Sequence, residues 1–451
     1  MQTTLADRWR GRAEAEEAAA IVRKCVHCGF CTAACPTYRL LGDELDGPRG
    51  RIYLVKRVLE GAVPTAKTQL HLDRCLTCRA CEPACPSGVE YGRLADAGRR
   101  LVDESVRRPL HERAVRAALR AVLTRPRIFA ALLGLARQLR PVLPARLRTQ
   151  LRPARPAGEW PRHARPRRVL LIGGCVQPAL LPNVDAATAR VLDALGYETV
   201  VPPAAGCCGA IRQHLGDPAG ALEAARRNVD AWWPQLEAGA EAVIVNASGC
   251  GTQVRDYAHL LRDDPAYSAK AARLVAATRD VAEFVAEHAE RLAVRVAPAA
   301  AAGDAAGAAV AGEATAAAAA PSATGRGGRP VRVVFHAPCS LQHGLRIRGV
   351  VESLLARLGA EVLPYADAQL CCGSAGTYSL LQPALANDLR TRKLAALERP
   401  APDLILSANV GCIAHLDAGA QVPVRHWIEW VDEMLGRDGG NPVVRGAETG
   451  D

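Results

Sequence analysis

The sequence predicts a multidomain protein that combines α+β and α/β parts, with a mainly helical N-terminal domain followed by two repeated α/β domains, each with a parallel sheet. Two observations predict this class. One pattern of four cysteines closed by a proline occurs twice near the N-terminus. The eight remaining cysteines form two matched sets of four, interleaved with alternating strand and helix patterns. A chain of 451 residues is long enough for about three domains.

The N-terminal pattern reads C-x2-C-x2-C-x3-C-P in both copies, which begin at Cys25 (CVHCGFCTAACP) and Cys75 (CLTCRACEPACP). Bacterial two-cluster ferredoxins have this spacing, in which three cysteines of a run hold one [4Fe-4S] cluster and the fourth ligates the other cluster. Residues 1–104 are therefore predicted to form a mainly helical, ferredoxin-like domain with two [4Fe-4S] clusters. The predicted ligands are Cys25, Cys28, Cys31 and Cys85 for the first cluster, and Cys75, Cys78, Cys81 and Cys35 for the second.

Zinc and disulfides are the alternatives for these eight thiols. A zinc ribbon uses two C-x2-C pairs and needs neither a third cysteine nor the C-P ending, so zinc is disfavoured. Disulfides need an oxidising compartment, whereas residues 1–20 carry charges where a secretory signal would be apolar. The expected location is therefore the cytoplasm.

The net charge of +11 comes from one segment. Residues 105–168 contain 17 arginines, no lysine and two glutamates, which gives +15 there and −4 for the rest of the chain. Residues 105–166 are interpreted as a basic amphipathic helical segment and linker. Contact with an anionic membrane or acidic partner and a plain solvated linker both remain open. Nucleic acid is not expected, because neither a regular interleaving of aromatic residues nor a nucleic-acid-reading module accompanies the arginines.

Two further segments are interpreted as unstructured. Residues 297–329 are rich in alanine and glycine and are predicted to be a flexible linker, because alanine is too weakly apolar for a membrane-spanning helix. Residues 438–451 are predicted to be a disordered tail. No run of eighteen strongly apolar residues occurs, so no membrane span is expected.

The C-terminal cysteines predict two copies of one domain, over residues 167–296 and 330–437. In each copy, 32 residues separate a lone cysteine from the first member of a Cys-Cys-Gly turn, and a last cysteine follows. Short apolar runs predict three strands in each copy, the first and third leading to a cysteine and the second to the Cys-Cys-Gly turn, with helices at about 184–195 and 348–358. The sulfurs should then converge at the carboxyl edge of each sheet. The two sets are Cys175, Cys207, Cys208, Cys250 and Cys339, Cys371, Cys372, Cys412.

The sequence does not identify the occupant of these two sites. Four soft ligands suit an iron-sulfur cluster or zinc, and a redox-active cysteine pair is a third interpretation. Several histidines lie near the cysteines in sequence, and most are expected to be packing residues rather than ligands: His214, His336, His343, His415 and His426.

The order of motifs resembles the iron-sulfur subunits that accompany flavin dehydrogenases of hydroxy acids and polyol phosphates. The stretches CVHCGFCTAACPTY, GPRGRIYLVKRVLEG, NASGCGTQVRDYAHLL, CCGSAGTYSLLQP and ANVGCIAHL are most similar to the glycolate oxidase iron-sulfur subunit family. The resemblance implies an electron-transfer subunit without catalytic residues of its own. Glycolate would be oxidised to glyoxylate on partner FAD-binding glycolate oxidase subunits, and FAD would be bound only there. Electrons would pass on towards a membrane quinone or another acceptor. The chain would be cytoplasmic, and a peripheral position at the cytoplasmic face of the inner membrane is compatible with the basic segment.

The chain departs from the wider cysteine-rich superfamily in one respect. Repeats there often end in C-x-x-C, whereas here the equivalent stretches run from Cys250 to Gln253 and from Cys412 to His415. His415 is a candidate substitute for the missing cysteine in the second repeat. Alternative functions are the iron-sulfur subunit of an anaerobic glycerol-3-phosphate or D-lactate dehydrogenase, a heterodisulfide-reductase-like thiol/disulfide catalyst, and a structural metal protein.

Overall fold

The computed structural model describes residues 1–142, 155–295 and 329–436. The predicted tail at 438–451 and all but the last residue of the predicted linker at 297–329 lie outside this part of the chain. Within it, a helical N-terminal domain is followed by two α/β domains, so the predicted fold class is confirmed.

Residues 1–142 contain helices and no strand. The first helix begins after Arg12 and the sixth ends at Ser105, and their apolar faces bury Trp9, Leu59, Leu94 and Leu101 in one core. The buried indole N–H of Trp9 donates a hydrogen bond to the Val58 carbonyl at 2.9 Å. The helices are Ala13–Lys24, Phe30–Ala33, Pro36–Leu41, Pro48–Leu59, Ala66–Asp73 and Tyr91–Ser105, with short 3-10 turns at Asp7–Trp9 and Glu44–Asp46.

The basic segment forms two further helices, Leu110–Leu123 and Pro126–Gln138, and a 3-10 turn at Arg140–Val142. Neither helix buries a residue fully. Arg116 pairs with Asp73 of the N-terminal domain at 3.1 Å, and Arg137 donates to the Ala179 carbonyl at 3.2 Å. The segment thus lies across the N-terminal domain and the first α/β domain.

The first α/β domain has four parallel strands in the order β2-β1-β3-β4. Val169 and Leu171 of one strand and Ile244 of another face a core shared with the second repeat. The strands are β1 Arg167–Leu171, β2 Tyr197–Val200, β3 Val243–Val245 and β4 Thr278–Asp280. The helices are Gln177–Leu180, Pro182–Ala194, Ala210–His214, Pro218–Glu237, Ser248–Arg255, Tyr257–Leu260, Ser268–Ala277 and Val281–Ala286.

The second α/β domain repeats this topology, in the order β6-β5-β7-β8. The strands are β5 Arg332–His336, β6 Glu361–Val362, β7 Leu404–Ser407 and β8 Val424–His426. A π-helical turn at Ser340–Gly344 follows β5. The helices are Val350–Arg357, Tyr378–Leu381, Pro383–Glu398, Val410–Asp417 and Trp427–Leu435.

The two repeats pack against each other through a continuous core. Helix Pro182–Ala194 of the first repeat lies against helix Trp427–Leu435 of the second, and Val191, Trp427 and Ile428 are buried in the same core. Arg190 and Asp432 form an ion pair at 2.7 Å across this contact. The duplicated domains therefore form one body rather than two independent lobes.

The helices expected at 184–195 and 348–358 are present as Pro182–Ala194 and Val350–Arg357. The fourth strand of each sheet was not predicted. Strands β4 and β8 have the sequences TRD and VRH, so polar residues stand where an apolar run would have indicated a strand.

Candidate metal centres

The two ferredoxin-type loops have the same backbone conformation. His27 and Gly29 in the first loop have positive φ angles of 62° and 88°, and Thr77 and Arg79 at the same positions of the second loop have 51° and 57°. Left-handed residues within such a turn point successive backbone N–H groups into one concavity, which is the arrangement found around phosphates and iron-sulfur centres. The loops therefore offer N–H donors as well as thiols.

The first group of thiols gathers around a hollow at the surface of the N-terminal domain. Cys25, Cys28, Cys31 and Cys85 line it, together with Cys81 of the second motif. Burial, together with the neighbouring Cys25, Cys85 and Cys28 sulfurs, raises the pKa of the Cys31 thiol to about 11. Such a thiol ionises when a cation takes the place of its proton, as it does on metal binding.

The second group lies deeper. Cys75 and Cys81 are buried, and Cys78 and Cys81 are surrounded by Cys75 and Cys35, which arrives from the first motif. Burial would by itself raise the pKa of Cys75, but the cations of Arg51 and Arg99 lower it below its ordinary value. The Cys85 and Cys35 thiols thus each lie in the group begun by the other motif.

Arg51 is the buried cation beside the second group. Its side chain is 1% exposed, and one Nη atom lies 4.0 Å from Cys35 Sγ. The carboxylate of Asp46, which is fully buried, pairs with Arg51 at 3.5 Å and with Arg74 at 2.8 Å. His71 Nδ1 lies 3.0 Å from the same carboxylate. The second group is therefore set in a buried charge network that the first group lacks.

The first α/β domain brings its four cysteines together after the strands. Cys175 contacts Cys207, and Cys208 contacts both Cys207 and Cys250. Hydrogen bonds from Cys175 and Cys208 hold the pKa of Cys207 well below its usual range. The turn is fixed by Asn228, whose side-chain amide donates to the Cys207 carbonyl at 3.0 Å. Four sulfurs therefore face one another at the carboxyl edge of the sheet.

The second α/β domain brings its own set together in the same way. The Sγ atoms of Cys339 and Cys371 lie 3.9 Å apart, and Cys372 contacts both Cys371 and Cys412. Gly373 follows the pair with a φ of +93°, and a Cβ there would lie 2.5 Å from the Ala386 carbonyl oxygen. Only glycine fits this turn.

His336 joins this second set. A ring nitrogen of His336 and the Sγ atoms of Cys372 and Cys412 lie within 4.8 Å of one another, and all three residues are buried. The other four histidines named from the sequence have partners elsewhere. His415, the predicted substitute ligand, donates instead to the Ala386 carbonyl at 3.1 Å. The remaining contacts are His214 with Asp96, His343 with the Gln369 carbonyl and His426 with the Asn246 carbonyl.

The second ferredoxin-type group lies against the second α/β domain. The Cys78 thiol lies close enough to the thiols of Cys339 and Cys371 to interact with both electrostatically. Leu76, Tyr378 and Cys371 belong to one apolar cluster, with Cys78 and Cys339 packed on it. The Tyr378 hydroxyl donates to the Arg74 carbonyl at 3.2 Å. The sequence did not indicate this contact, because the partners are far apart along the chain.

Comparison with known families agrees with this geometry. The model described as "4Fe-4S dicluster domain" matches residues 21–89, and the model described as "Cysteine-rich domain" matches residues 169–255 and 333–417. The chain is thus an iron-sulfur protein with a ferredoxin-type dicluster domain and a duplicated cysteine-rich domain.

The curated relatives narrow this class. The chain is 48% identical to the glycolate oxidase iron-sulfur subunit of Escherichia coli (strain K12), in an alignment that covers 97% of this chain and the whole of the relative. It is 31% identical to the probable glycolate oxidase iron-sulfur subunit of Bacillus subtilis (strain 168), over 88% of each chain. The lactate utilization protein A of Geobacillus thermodenitrificans is 26% identical over 55% of this chain and 90% of the relative. The chain belongs to the glycolate oxidase iron-sulfur subunit family, as the resemblance predicted.

Among the helices of residues 1–142, 155–295 and 329–436, none combines the length and the apolar character that crossing a bilayer requires.

Proposed function

We propose that this chain relays electrons within a glycolate oxidase complex, in which a separate FAD-binding subunit oxidises glycolate to glyoxylate. The observation that carries the proposal is that the two ferredoxin-type groups have opposite surroundings. The first group is open to solvent at Cys28, whereas the second is covered by the second cysteine-rich domain. Electrons would enter at the first group, which is open to solvent, and leave from the second group, which another domain covers.

The first group offers the entrance. Val26 and Phe30 flank Cys28 and are 67% and 66% exposed. Large apolar side chains so exposed beside a candidate redox centre fit a surface on which another subunit docks. The FAD-binding subunit would cover these side chains and bring its flavin close to the first group.

The second group offers the exit. Cys78 lies beside Cys339 and Cys371, and all three belong to or pack on the apolar cluster of Leu76 and Tyr378. Electrons would therefore leave from this covered side of the second group towards the final acceptor, a membrane quinone or another acceptor.

We assign the ligands as the sequence predicted. Cys25, Cys28, Cys31 and Cys85 would hold one [4Fe-4S] cluster, and Cys75, Cys78, Cys81 and Cys35 the other. The donor sets fit, because each has four thiols facing one space and a loop with left-handed residues directing N–H groups into it. A bound [4Fe-4S] cluster exchanges single electrons, so two of them can accept the pair that a flavin delivers. Arg51 favours the more negative, reduced state of the second centre.

Metal analysis of the anaerobically purified chain tests the proposal. We expect about eight iron atoms in the N-terminal domain and reversible one-electron signals in electron paramagnetic resonance, because two four-iron clusters are assigned there. A larger count would place iron in a cysteine-rich domain as well. A colourless, iron-free chain, or an iron-loaded chain without any redox response, would contradict the proposal.

The basic segment supports a peripheral membrane contact. Ile128, Leu132, Leu135 and Leu139 follow one another at helical spacing and are each at least 40% exposed. With the surrounding arginines they form the apolar stripe and basic flanks of an interfacial helix.

Replacing both Leu132 and Leu135 by aspartate is expected to reduce cosedimentation with phosphatidylglycerol vesicles several-fold. The reason is that two charges would then face the acyl region. Val63→Asp, at an exposed apolar residue outside the segment, is the matched control. Equal sedimentation of both variants would favour a solvated linker instead.

A lactate dehydrogenase complex is the second candidate, because a relative named lactate utilization protein A aligns with 55% of the chain at 26% identity. The flavoprotein that copurifies with the tagged chain, and its activity on glycolate against D-lactate, distinguish the two.

A further inference from the structure

We propose that His336, Cys372 and Cys412 bind a single zinc ion in the second cysteine-rich domain. The inference goes beyond the proposed function, because Zn²⁺ has no redox chemistry and this domain would cover the second group without carrying electrons. It adds the identity of the metal and a nitrogen ligand that the cysteine pattern does not contain.

The first observation is the state of the His336 side chain. It is completely buried at the carboxyl end of β5, and neither ring nitrogen has a hydrogen-bond partner within the described residues. A buried polar group without a partner is costly, and native structures seldom keep one without a reason. The backbone carbonyl of His336 does have a partner, because it accepts a hydrogen bond from Ser407 Oγ at 2.9 Å. The imidazole is therefore held in place with its nitrogens available.

The second observation is what the imidazole faces. Its nitrogen, Cys372 Sγ and Cys412 Sγ lie within 4.8 Å of one another. Zinc binds nitrogen at about 2.0–2.1 Å and thiolate sulfur at about 2.3 Å, so three donors this close can surround one ion. The fourth position of the tetrahedron is left to one of the two remaining sulfurs, those of Cys339 and Cys371, which lie 3.9 Å apart.

The third observation is the charge balance. Three thiolates and Zn²⁺ leave one negative charge, which a buried site must neutralise. Lys393 is 3% exposed, lies within the field of Cys371, Cys372 and Cys412, and donates from Nζ to the Asp367 carbonyl at 2.8 Å. The positive charge of Lys393 would therefore balance the single negative charge of a zinc ion bound by three thiolates and a neutral imidazole.

The first repeat provides an internal comparison. Ile172 lies three residues before Cys175, as His336 lies three residues before Cys339, and Ile172 is buried among apolar residues. The first repeat therefore has only sulfur ligands at the matching place. The duplicated domains share a fold but offer different ligand sets, so their occupants should differ.

The experiment compares His336→Ile with the wild-type full-length chain, both purified without oxygen and dialysed against a weak chelator. His336→Ile installs the residue of the first repeat. We expect it to lose about one zinc atom per chain, because one ligand of a closed tetrahedral site is gone, while iron and its resonance signals are unchanged. His415→Gln is the matched control, since His415 lies in the same domain but bonds a backbone carbonyl, and it should retain its zinc.

The zinc-edge X-ray absorption spectrum of the wild-type chain provides a measurement that does not depend on the variant folding. It should contain a nitrogen scatterer with imidazole character together with sulfur. Unchanged zinc in folded His336→Ile, loss of iron in place of zinc, or an all-sulfur zinc spectrum would each overturn the site. None of these results affects the N-terminal clusters, whose failure would appear as missing iron in the wild-type chain.

Discussion

Cys28→Ser is expected to lose about four of the iron atoms bound by the N-terminal domain and to stop electron transfer, while the FAD-binding partner is still reduced by glycolate. Serine cannot replace a soft thiolate on iron, and Cys28 is one of only four thiols assigned to the exposed centre. Because this centre is the proposed entrance, its loss interrupts the path completely. The measurement is iron content together with the rates of flavin reduction and of acceptor reduction in the reconstituted complex.

Ser87→Ala is the control for this variant, because Ser87 lines the same hollow without offering a sulfur. It should keep its iron and its transfer rate. Normal acceptor reduction by Cys28→Ser would show that the ferredoxin-type assignment is wrong.

Asp46→Ala is expected to lower the free energy of unfolding by about 3–5 kcal/mol, which is the usual cost of removing one partner from a buried ion pair. The carboxylate is fully buried and pairs with Arg51 and Arg74, so its removal leaves the buried Arg51 guanidinium without its carboxylate partner. The midpoint of urea unfolding, followed by circular dichroism under anaerobic conditions, measures the change.

Lys24→Ala provides the comparison, since the Lys24–Glu90 pair has a similar distance of 2.6 Å but lies exposed. Exposed pairs contribute about 0–1 kcal/mol. If Asp46→Ala shifted the midpoint no more than Lys24→Ala, the buried network would not stabilise the second group.

The grouping of the cysteines could be predicted because the cysteines of each set recur at the same spacing along the chain. The 32-residue interval in both repeats and the two identical N-terminal motifs sufficed to divide sixteen thiols into four sets. Strand and helix alternation likewise indicated a parallel sheet, although β4 and β8, which consist largely of polar residues, left no apolar pattern.

Features that depend on tertiary contact could not be predicted. Five histidines lay near cysteines in sequence, and His415 was the one singled out for its position after Cys412. What distinguishes His336 is the absence of a hydrogen-bond partner within the described residues, which only the folded chain reveals. The proximity of Cys78 to Cys339 is of the same kind, because it depends on how two domains pack.

The left-handed residues of the two cysteine loops should make the stability of the folded chain depend on bound iron. His27, Thr77 and Arg79 are not glycines, and each is held in a conformation that costs about 1–2 kcal/mol. Bound iron compensates that cost, so a cell starved of metal would make a chain whose loops relax and whose Leu76 contact with Tyr378 loosens. Proteases would then remove the unfilled chain, and the abundance of the subunit would follow the availability of the metal.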